Sequence, residues 1–526
     1  MSRNHETSVT PSNAPDTSPI SHRFVATEHA WTGRLIEVGL VLAIAAWTVL
    51  RYGGTGLNAD GVEQSTMSVQ SPSLFYWGQN RLASFVSLLA SPVSSPDANL
   101  FVCMFLNALG FVLLLRLLSG LLADHLGEKV RALPRAVPFL VLAAAAFAGL
   151  EPITVHALAL EGQPYSWSWF LAWSAFLLWR RSPVSGRLAA VAFAGIAMGL
   201  NPSVALVPAF LTAVEVLRTR RLIPWIGFGA VWIAWLGVWL VLMDSVDVST
   251  PTPQPDTSYF SFDPHLLATG FSTAVGNVLG AFGGLRLVVL IAFALAVLLW
   301  RAADVPASTI RRFAVCVLFC LGYTALFAGN PWTTANTLHF RYFFPDLLLI
   351  VGVIASTALL AMGHVASTDR RQRQAAVIAV ALAACLAALA GPARPAWDGA
   401  LAREAAPIAD FARSQDARFI AGDYWLGWPT MHQMLEDGRT AAYVANEKSG
   451  GDLSRYETAL VDEIEDGGTP PRAVCIRADT QLCATYLDFY TGAGWQDAGP
   501  CEGLRSRVPC TLMEYHPTDV KQGTSK

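Results

Sequence analysis

The sequence has little charge for its length. Only 14% of its 526 residues are Asp, Glu, Lys or Arg, whereas soluble chains carry about 25% charged residues. Together with a hydrophobic content of 53%, this deficit excludes a soluble enzyme, a disordered scaffold and a fibrous protein. The net charge of −3 and the lack of any Lys/Arg block exclude a strongly basic nucleic-acid binder, so we expect no nucleic-acid partner. The class that remains is a polytopic protein of the lipid bilayer.

The N-terminal segment lacks the parts of a secretory signal peptide. Residues 1–33 are rich in Ser, Thr, Pro and Asn, and no apolar run with a cleavage site follows a basic start. This composition predicts a disordered tail.

Long apolar runs begin after this tail, and each is long enough, or nearly so, to cross ~30 Å of hydrocarbon. They lie at about 35–50, 100–115, 136–150, 164–179, 188–214, 222–243, 287–300, 313–327, 347–363 and 374–393. The run at 188–214 is too long for one crossing and contains Asn201-Pro202, and a proline bends or ends a helix. Dividing it there predicts about eleven transmembrane helices.

Arginine and lysine are concentrated in every second loop between these runs. Because basic loops stay on the cytoplasmic side, this alternation predicts a cytoplasmic N-terminus and an extracytoplasmic, periplasmic C-terminal region in the inner (cytoplasmic) membrane. The membrane domain would span 34–393, with a long first outer loop at 53–98 and a further outer loop at about 244–283.

The region 394–526 has ordinary soluble composition. Helical stretches alternate there with strand-like stretches, which predicts a small extracytoplasmic α/β domain. The helical stretches are 403–414, 454–465 and 480–490, and the strand-like ones are 417–421, 440–444, 473–476 and 508–513.

The cysteines divide between the two parts of the chain. Four cysteines lie in apolar runs, and we expect them to be small buried side chains: Cys103, Cys316, Cys320 and Cys385. The C-terminal region contains Cys475, Cys483, Cys501 and Cys510. An even number predicts disulfides in an oxidising compartment, and we expect Cys475–Cys483 with Cys501–Cys510. A zinc site is the alternative, although the spacings are not CxxC.

Two acids follow the first apolar run closely. Asp60 and Glu63 are one helical turn apart, so both carboxylates could share one face of a helix. Such a pair could supply a general base for an acceptor hydroxyl, in which case Glu63 would bind the substrate. It could also supply two ligands of a divalent metal ion. The alternative is a solvated loop acid at a helix start.

An aromatic stretch completes the first outer loop and predicts amphipathic helices in the membrane interface. It contains Trp77, Gln79 and Arg81, of which Trp77 and Gln79 are candidate substrate-binding residues. Arg81 is a basic residue on the outer face, where basic residues are few. Binding of an anion such as a lipid phosphate would explain its presence there.

Three further groups stand at the predicted outer surface. Glu161 precedes the fourth run, where a carboxylate is costly unless it is solvated or paired. His339 and Arg341 precede the run at 347–363, and an arginine recognises phosphate through two hydrogen bonds. The alternatives are plain solvation of Glu161 and an interfacial anchor at 339–341.

The C-terminal region has an aromatic motif directly after its first strand-like stretch. Asp423 falls where a strand ends, which is a usual place for a site in an α/β sheet. Tyr424 and Trp425 could stack on a sugar, rest on the bilayer, or pack in the domain core.

In this order, the features resemble the GT-C-fold glycosyltransferases, which include protein O-mannosyltransferases and the bacterial aminoarabinose transferase. Asp60 falls at the family's essential acid in the first outer loop, and Glu161 stands where the family usually has Asp. The Gly199-Leu200-Asn201-Pro202 break resembles a Gly-Leu break in the family, where many members carry Lys. Arg341-Tyr342 resembles the arginine that contacts the donor's lipid phosphate. The resemblance extends over most of residues 35–395 in the layout of spans and loops, but it depends on few identical residues.

This resemblance implies inverting transfer of a sugar from a polyprenyl-phosphate donor to an extracytoplasmic glycan, lipid or protein in the cell envelope. Asp60 would accept the hydroxyl proton, and Glu161 would position the acceptor or share a metal ion. Arg341, with Arg81 and His339, would bind the donor phosphate. Tyr424 and Trp425 would help to select the acceptor.

Two other classes remain open. A multi-span transporter or flippase of a lipid-linked or envelope substrate would usually show internal repeats and buried charges in its spans, and neither is evident. The second is a catalytically silent assembly protein of the same fold, because the acids of this chain differ from the usual pattern of the family.

Overall fold

The computed structural model describes most of the chain. The described residues are 20–54, 58–70, 72–75, 83–163, 165–181, 183–245, 263–284, 287–288, 290–291, 294–295, 307–365, 400–436, 443–446, 470–491, 494–502 and 509–516. They form a helical membrane part and a C-terminal domain built on a small sheet.

The described residues of the membrane part are mainly α-helical. Its helices are α1 (Ile20–Tyr52), α2 (Ala59–Gln70), α3 (Phe85–Ala90), α4 (Pro96–His125), α5 (Glu128–Arg131), α6 (Ala136–Gly149), α7 (Pro152–Ala159), α8 (Tyr165–Arg181), α9 (Val184–Leu200), α10 (Leu206–Thr219), α11 (Ile223–Asp244), α12 (Pro264–Gly280), α13 (Ala307–Ala328), α14 (Pro331–Ala335) and α15 (Phe344–Val365). Within the described residues, six helices are long and apolar enough to cross a membrane. The chain is therefore a multi-pass helical membrane protein. The count of about eleven spans stays a prediction, and the run at 374–393 lies outside the described residues.

The predicted break in the long apolar run is confirmed. Helix α9 ends at Leu200, and the Asn201 side chain accepts the backbone N–H of Ser203 at 3.1 Å. A short 3-10 helix, Pro202–Ala205, then leads into α10. The Gly199 carbonyl at this break accepts the backbone N–H of Ala83 at 2.8 Å, which ties the loop before α3 to the end of α9.

Helix α12 lies in a region that the sequence predicted as an outer loop. Its start carries a local signal, because Asp263 caps the helix and Pro264 occupies its first turn. Near its end, the Asn277 side chain donates to the Leu338 carbonyl at 2.8 Å. This bond fixes the turn that precedes Arg341.

Ion pairs lie at the ends of the predicted apolar runs. Glu37 of α1 and Arg116 of α4 form a half-buried ion pair at 2.6 Å. Glu215 of α10 is buried, pairs with Arg218, and lies 3.4 Å from Arg180 of α8. Each acid has its partner, as a charge in a low-dielectric environment requires, so these pairs link neighbouring helices.

The C-terminal domain contains a mixed five-stranded sheet in the order β2-β1-β3-β5-β4. The strands are β1 (Phe419–Gly422), β2 (Tyr443–Asn446), β3 (Arg472–Ile476), β4 (Trp495–Pro500) and β5 (Thr511–Tyr515), and the helices are α16 (Ala400–Ser414), α17 (Tyr424–Glu436) and α18 (Thr480–Thr491). Strand β1 is parallel to β2 and β3, whereas β5 is antiparallel to β3 and β4. The predicted helix at 454–465 lies outside the described residues.

Two elements of this domain were not predicted. Strand β4 is polar, contains Gly499 and Pro500, and carries a bulge, so its sequence lacks an alternating apolar pattern. It forms as an edge strand because β5 supplies its hydrogen-bonding partner. Helix α17 has Gly427 and Pro429 in its interior, which normally argue against a helix.

The predicted disulfides are confirmed. Cys475 of β3 is bonded to Cys483 of α18, and Cys501 is bonded to Cys510 beside the β4–β5 pair. The zinc alternative is therefore wrong. Of the remaining thiols, Cys103 and Cys320 are buried as expected, Cys316 is exposed, and Cys385 lies outside the described residues.

Candidate functional site

Helix α2 carries the first two predicted acids on one face. Asn58 precedes the helix, and its side-chain oxygen accepts the backbone N–H of Gly61 at 3.2 Å. Asp60 and Glu63 follow one turn apart, with only 8% and 1% of their surfaces exposed. The alternative of solvated loop acids is wrong, because both carboxyl groups are buried.

A buried polar network fixes α2 against the membrane helices. The Asn107 side chain of α4 donates to the Gln64 side chain at 2.7 Å, and Asn99 of α4 donates to the Ser68 hydroxyl at 2.9 Å. The Ser87 hydroxyl of α3 donates to the Gln64 carbonyl at 3.0 Å. Because every bond joins α2 to α3 or α4, the network sets the position of Asp60.

The turn after α7 wraps closely around Asp60. A side chain at Gly162 is excluded, because its Cβ would lie 2.0 Å from the Asp60 carbonyl oxygen. The Gly162 carbonyl accepts the Gln64 side-chain amide at 3.1 Å, and Gln163 donates to Asp60 Oδ2 at 3.4 Å. Glycine at position 162 therefore allows Glu161 and Gln163 to approach α2.

Arg341 joins the two buried acids. It lies on a short 3-10 helix, Phe340–Phe343, directly before α15. Its Nη1 donates to Glu161 Oε1 at 2.6 Å and to Asp60 Oδ2 at 3.1 Å. Asn58 Nδ2 also donates to Glu161 Oε1, at 2.9 Å. The predicted base, the second acid and the predicted phosphate ligand thus form one contact network.

Tyr424 enters the same network from the C-terminal domain. Its hydroxyl lies 2.7 Å from Asp60 Oδ1 and 2.8 Å from Glu63 Oε2. Tyr424 begins α17 directly after β1, and Asp423 accepts the Leu426 N–H as the cap of that helix. Asp423 therefore supports the helix, and Tyr424 reaches the acids.

The C-terminal domain packs directly on α2. Ala59, Val62 and Met67 of α2 belong to one hydrophobic cluster with the core of this domain. Its members from the domain include Ile408 and Trp428. Trp425, by contrast, is 42% exposed and stands edge-on to the Tyr424 ring at 5.2 Å. It is the exposed neighbour of a buried site.

Burial dominates the electrostatics of this site. It raises the pKa of Glu161 to about 7; the nearby Arg341 opposes this shift and Asp60 adds to it. The pKa of the Tyr424 hydroxyl is also raised, first by burial and then by the carboxylates of Asp60 and Glu63. Asp60 and Glu161 thus meet the Arg341 guanidinium, and Asp60 and Glu63 meet the Tyr424 hydroxyl, in a buried region.

His339 caps the 3-10 helix that carries Arg341. Its Nδ1 accepts the Arg341 backbone N–H at 3.4 Å. Burial and the neighbouring guanidinium lower its pKa to about 4, so the imidazole is neutral at pH 7. It would meet a phosphate as a neutral group rather than as a cation.

Replacing His339 by asparagine, which can keep the cap, is expected to reduce acid sensitivity. Because the pKa of His339 is lowered from its usual 6.5 to about 4, the unfolded chain binds more protons in this interval, and stability falls as the pH falls through it. Thermal unfolding of the purified protein across this range measures the effect. An unchanged slope for H339N would contradict this assignment.

The carboxyl groups do not form a metal-ligand set. Within the part of the chain that the structure describes, no group of three or more His, Cys, Asp or Glu residues could hold a metal ion. The oxygens of Asp60 and Glu63 face the Tyr424 hydroxyl, and Asp60 also accepts from Arg341. Hydrogen-bond donors thus occupy the space between the acids.

Three further predicted site residues fall in a part of the chain that the structure does not describe. They are Trp77, Gln79 and Arg81. Sequence reasoning missed Asn58 and Gln163 as partners of the acids, although each lies within two residues of one of them. It also missed Tyr342, whose ring centre lies 5.4 Å from the Arg341 guanidinium.

Comparison with known proteins gives no relative. No family model matches the chain, and no curated protein matches it.

Proposed function

We propose that the chain is a membrane glycosyltransferase. It would transfer a sugar, with inversion, from a polyprenyl-phosphate donor to a hydroxyl group of an extracytoplasmic glycan, lipid or protein. The observation that carries this proposal is the buried contact of Arg341 with both Asp60 and Glu161. It brings a base and a cation together where a membrane helix meets the C-terminal domain.

Asp60 is the general base in this proposal. Its carboxylate accepts hydrogen bonds from Tyr424, Arg341 and Gln163. A carboxylate has about four acceptor positions, so one remains for the hydroxyl of the acceptor. As the acceptor oxygen bonds to the anomeric carbon, its proton passes to Asp60, and the bond from that carbon to the phosphate oxygen breaks.

Arg341 is the group that stabilises the leaving phosphate. Its Nη1 is occupied by the two acids, but its buried Nε–H has no hydrogen-bond partner within the described residues. Its Nη2 makes one long contact, 3.5 Å to the Tyr342 hydroxyl. The Nε and Nη2 edge of a guanidinium matches two phosphate oxygens, and negative charge grows there in the transition state.

Glu161 is the positioning acid. It holds Nη1 of Arg341 at 2.6 Å and is itself held by Asn58, so it sets the direction of the guanidinium. Because burial raises its pKa to about 7, its charge is sensitive to the arrival of a phosphate beside Arg341.

The proposal includes an orientation. About eleven spans would place the N-terminus in the cytoplasm and the C-terminal domain outside an inner membrane. The two disulfides of that domain support an oxidising compartment. Lipid-linked donor and acceptor would meet at the extracytoplasmic surface.

Replacing Asp60 by asparagine tests this function. We expect the D60N protein to fold and to transfer sugar about a hundredfold more slowly, because the amide cannot accept the hydroxyl proton. Purified protein in lipid nanodiscs would be supplied with a panel of radiolabelled polyprenyl-phosphate sugars and envelope acceptors. The exposed Glu128, replaced by glutamine, is the matched control. Transfer by D60N at the wild-type rate, or no transfer by the wild type across the panel, would overturn the proposal.

A further inference from the structure

The Tyr424 hydroxyl lies between two carboxyl groups. Its oxygen is 2.7 Å from Asp60 Oδ1 and 2.8 Å from Glu63 Oε2, and all three residues are buried. Both distances are the usual ones for O–H···O hydrogen bonds. A hydroxyl group has a single hydrogen, so Tyr424 can donate to only one of the two oxygens. The hydrogen of the second bond must come from a carboxyl group.

Asp60 is the carboxyl group that accepts the hydrogen of Tyr424. Its Oδ2 lies 3.1 Å from the Arg341 guanidinium and also accepts from Gln163. A nearby positive charge and hydrogen bonds to the charged form both favour a carboxylate. The hydrogen of Tyr424 is then directed to Asp60 Oδ1.

Glu63 is the carboxyl group left to supply the second hydrogen. Its surface is only 1% exposed, and burial disfavours a charged carboxylate.

We propose that Glu63 is protonated at neutral pH and donates to Tyr424, which in turn donates to Asp60. The order of hydrogen bonds is Glu63 Oε2–H to the Tyr424 oxygen, and the Tyr424 hydroxyl to Asp60 Oδ1. Only hydrogen bonds are involved, and no covalent bond between heavy atoms changes.

This chain of hydrogen bonds gives Glu63 and Tyr424 a positioning role, which rests on the function proposed above. With its proton on Glu63, this chain of hydrogen bonds holds the Asp60 carboxylate in the single orientation that a general base requires. Helix α17 of the C-terminal domain and helix α2 of the membrane part thereby hold a single catalytic group. The protonation of Glu63 itself does not depend on that function.

Infrared spectroscopy tests the proton directly. The wild-type protein at neutral pH should give the carbonyl band of a protonated carboxylic acid, and E63Q should lose one such band. The E161Q variant identifies any band from Glu161, and E128Q is the control for an exposed acid. An unchanged carboxylic-acid band in E63Q would overturn the proposal, whether or not sugar transfer is detected.

Transfer assays test the positioning role. Glutamine at position 63 can donate to Tyr424 as the protonated acid does, so E63Q should recover most of the transfer that E63A loses. We expect about a tenfold loss for E63A and for Y424F, the effect of one buried hydrogen bond. The loss should fall on kcat more than on KM. An E63Q protein as impaired as E63A would show that Glu63 acts as an anion, and would overturn the proposed role.

Discussion

Replacing Arg341 by alanine should destabilise the protein by about 3–5 kcal/mol, because it leaves buried carboxylates without their counter-ion. Asp60 and Glu161 both contact Nη1 of this side chain, and the guanidinium is only 11% exposed. Sugar transfer should fall by about a thousandfold as well, since the leaving phosphate loses its cation. Thermal or denaturant unfolding in nanodiscs and the transfer assay measure the two effects separately.

A double variant separates this ion pair from general damage. In R341A/E161Q one of the two carboxyl groups that lose their counter-ion is an amide, so at a pH well above 7 the variant should be more stable than R341A alone. Lysine at position 341 keeps the charge but loses the planar geometry of the guanidinium. R341K should therefore retain a larger fraction of the wild-type stability than of the wild-type sugar-transfer rate. If R341A and E161Q had strictly additive effects on unfolding, the buried contact between these residues would be wrong.

Replacing Gly162 by alanine should cost about 3 kcal/mol, near the upper end of the usual effect of overpacking. The added Cβ would lie 2.0 Å from the Asp60 carbonyl oxygen and 3.3 Å from the Gly61 nitrogen. Both are backbone atoms, so no flexible side chain can move aside. The turn that carries Glu161 must shift away from α2, and a displacement of about 1 Å at a catalytic group costs about a hundredfold in rate.

Gly229→Ala in α11 is the matched control for this substitution. Nothing lies within 4 Å of a Cβ added there, and alanine is the better helix former. The control should be as stable as the wild type or slightly more so. Equal unfolding midpoints for G162A and G229A would contradict the close approach of the 161–163 turn to α2.

The membrane helices could be predicted because their signals are local. Apolar length marks the spans, and Asn201-Pro202 marks the break between α9 and α10. The shared face of Asp60 and Glu63 follows from helical spacing alone. Helix α12 was missed, although Asp263-Pro264 is a helix start, because the surrounding polar residues predicted a loop.

The assembly of the site could not be predicted, because it depends on tertiary contacts. Nothing near Tyr424 in the sequence indicates that its hydroxyl meets Asp60, since that contact depends on how α17 packs against α2. Arg341 was expected to bind a phosphate, and no local pattern indicated that its Nη1 also contacts two acids. The contact between Gly162 and Asp60 likewise involves backbone atoms that no side-chain pattern encodes.

The place of Tyr424 in the chain has a consequence for biosynthesis. Asp60, Glu161 and Arg341 are synthesised before any part of the C-terminal domain, because translation proceeds from the N-terminus. The acids therefore enter the membrane without the hydroxyl that later joins them. The site is completed only when the last quarter of the chain has folded onto α2, so maturation of the site follows the folding of that domain.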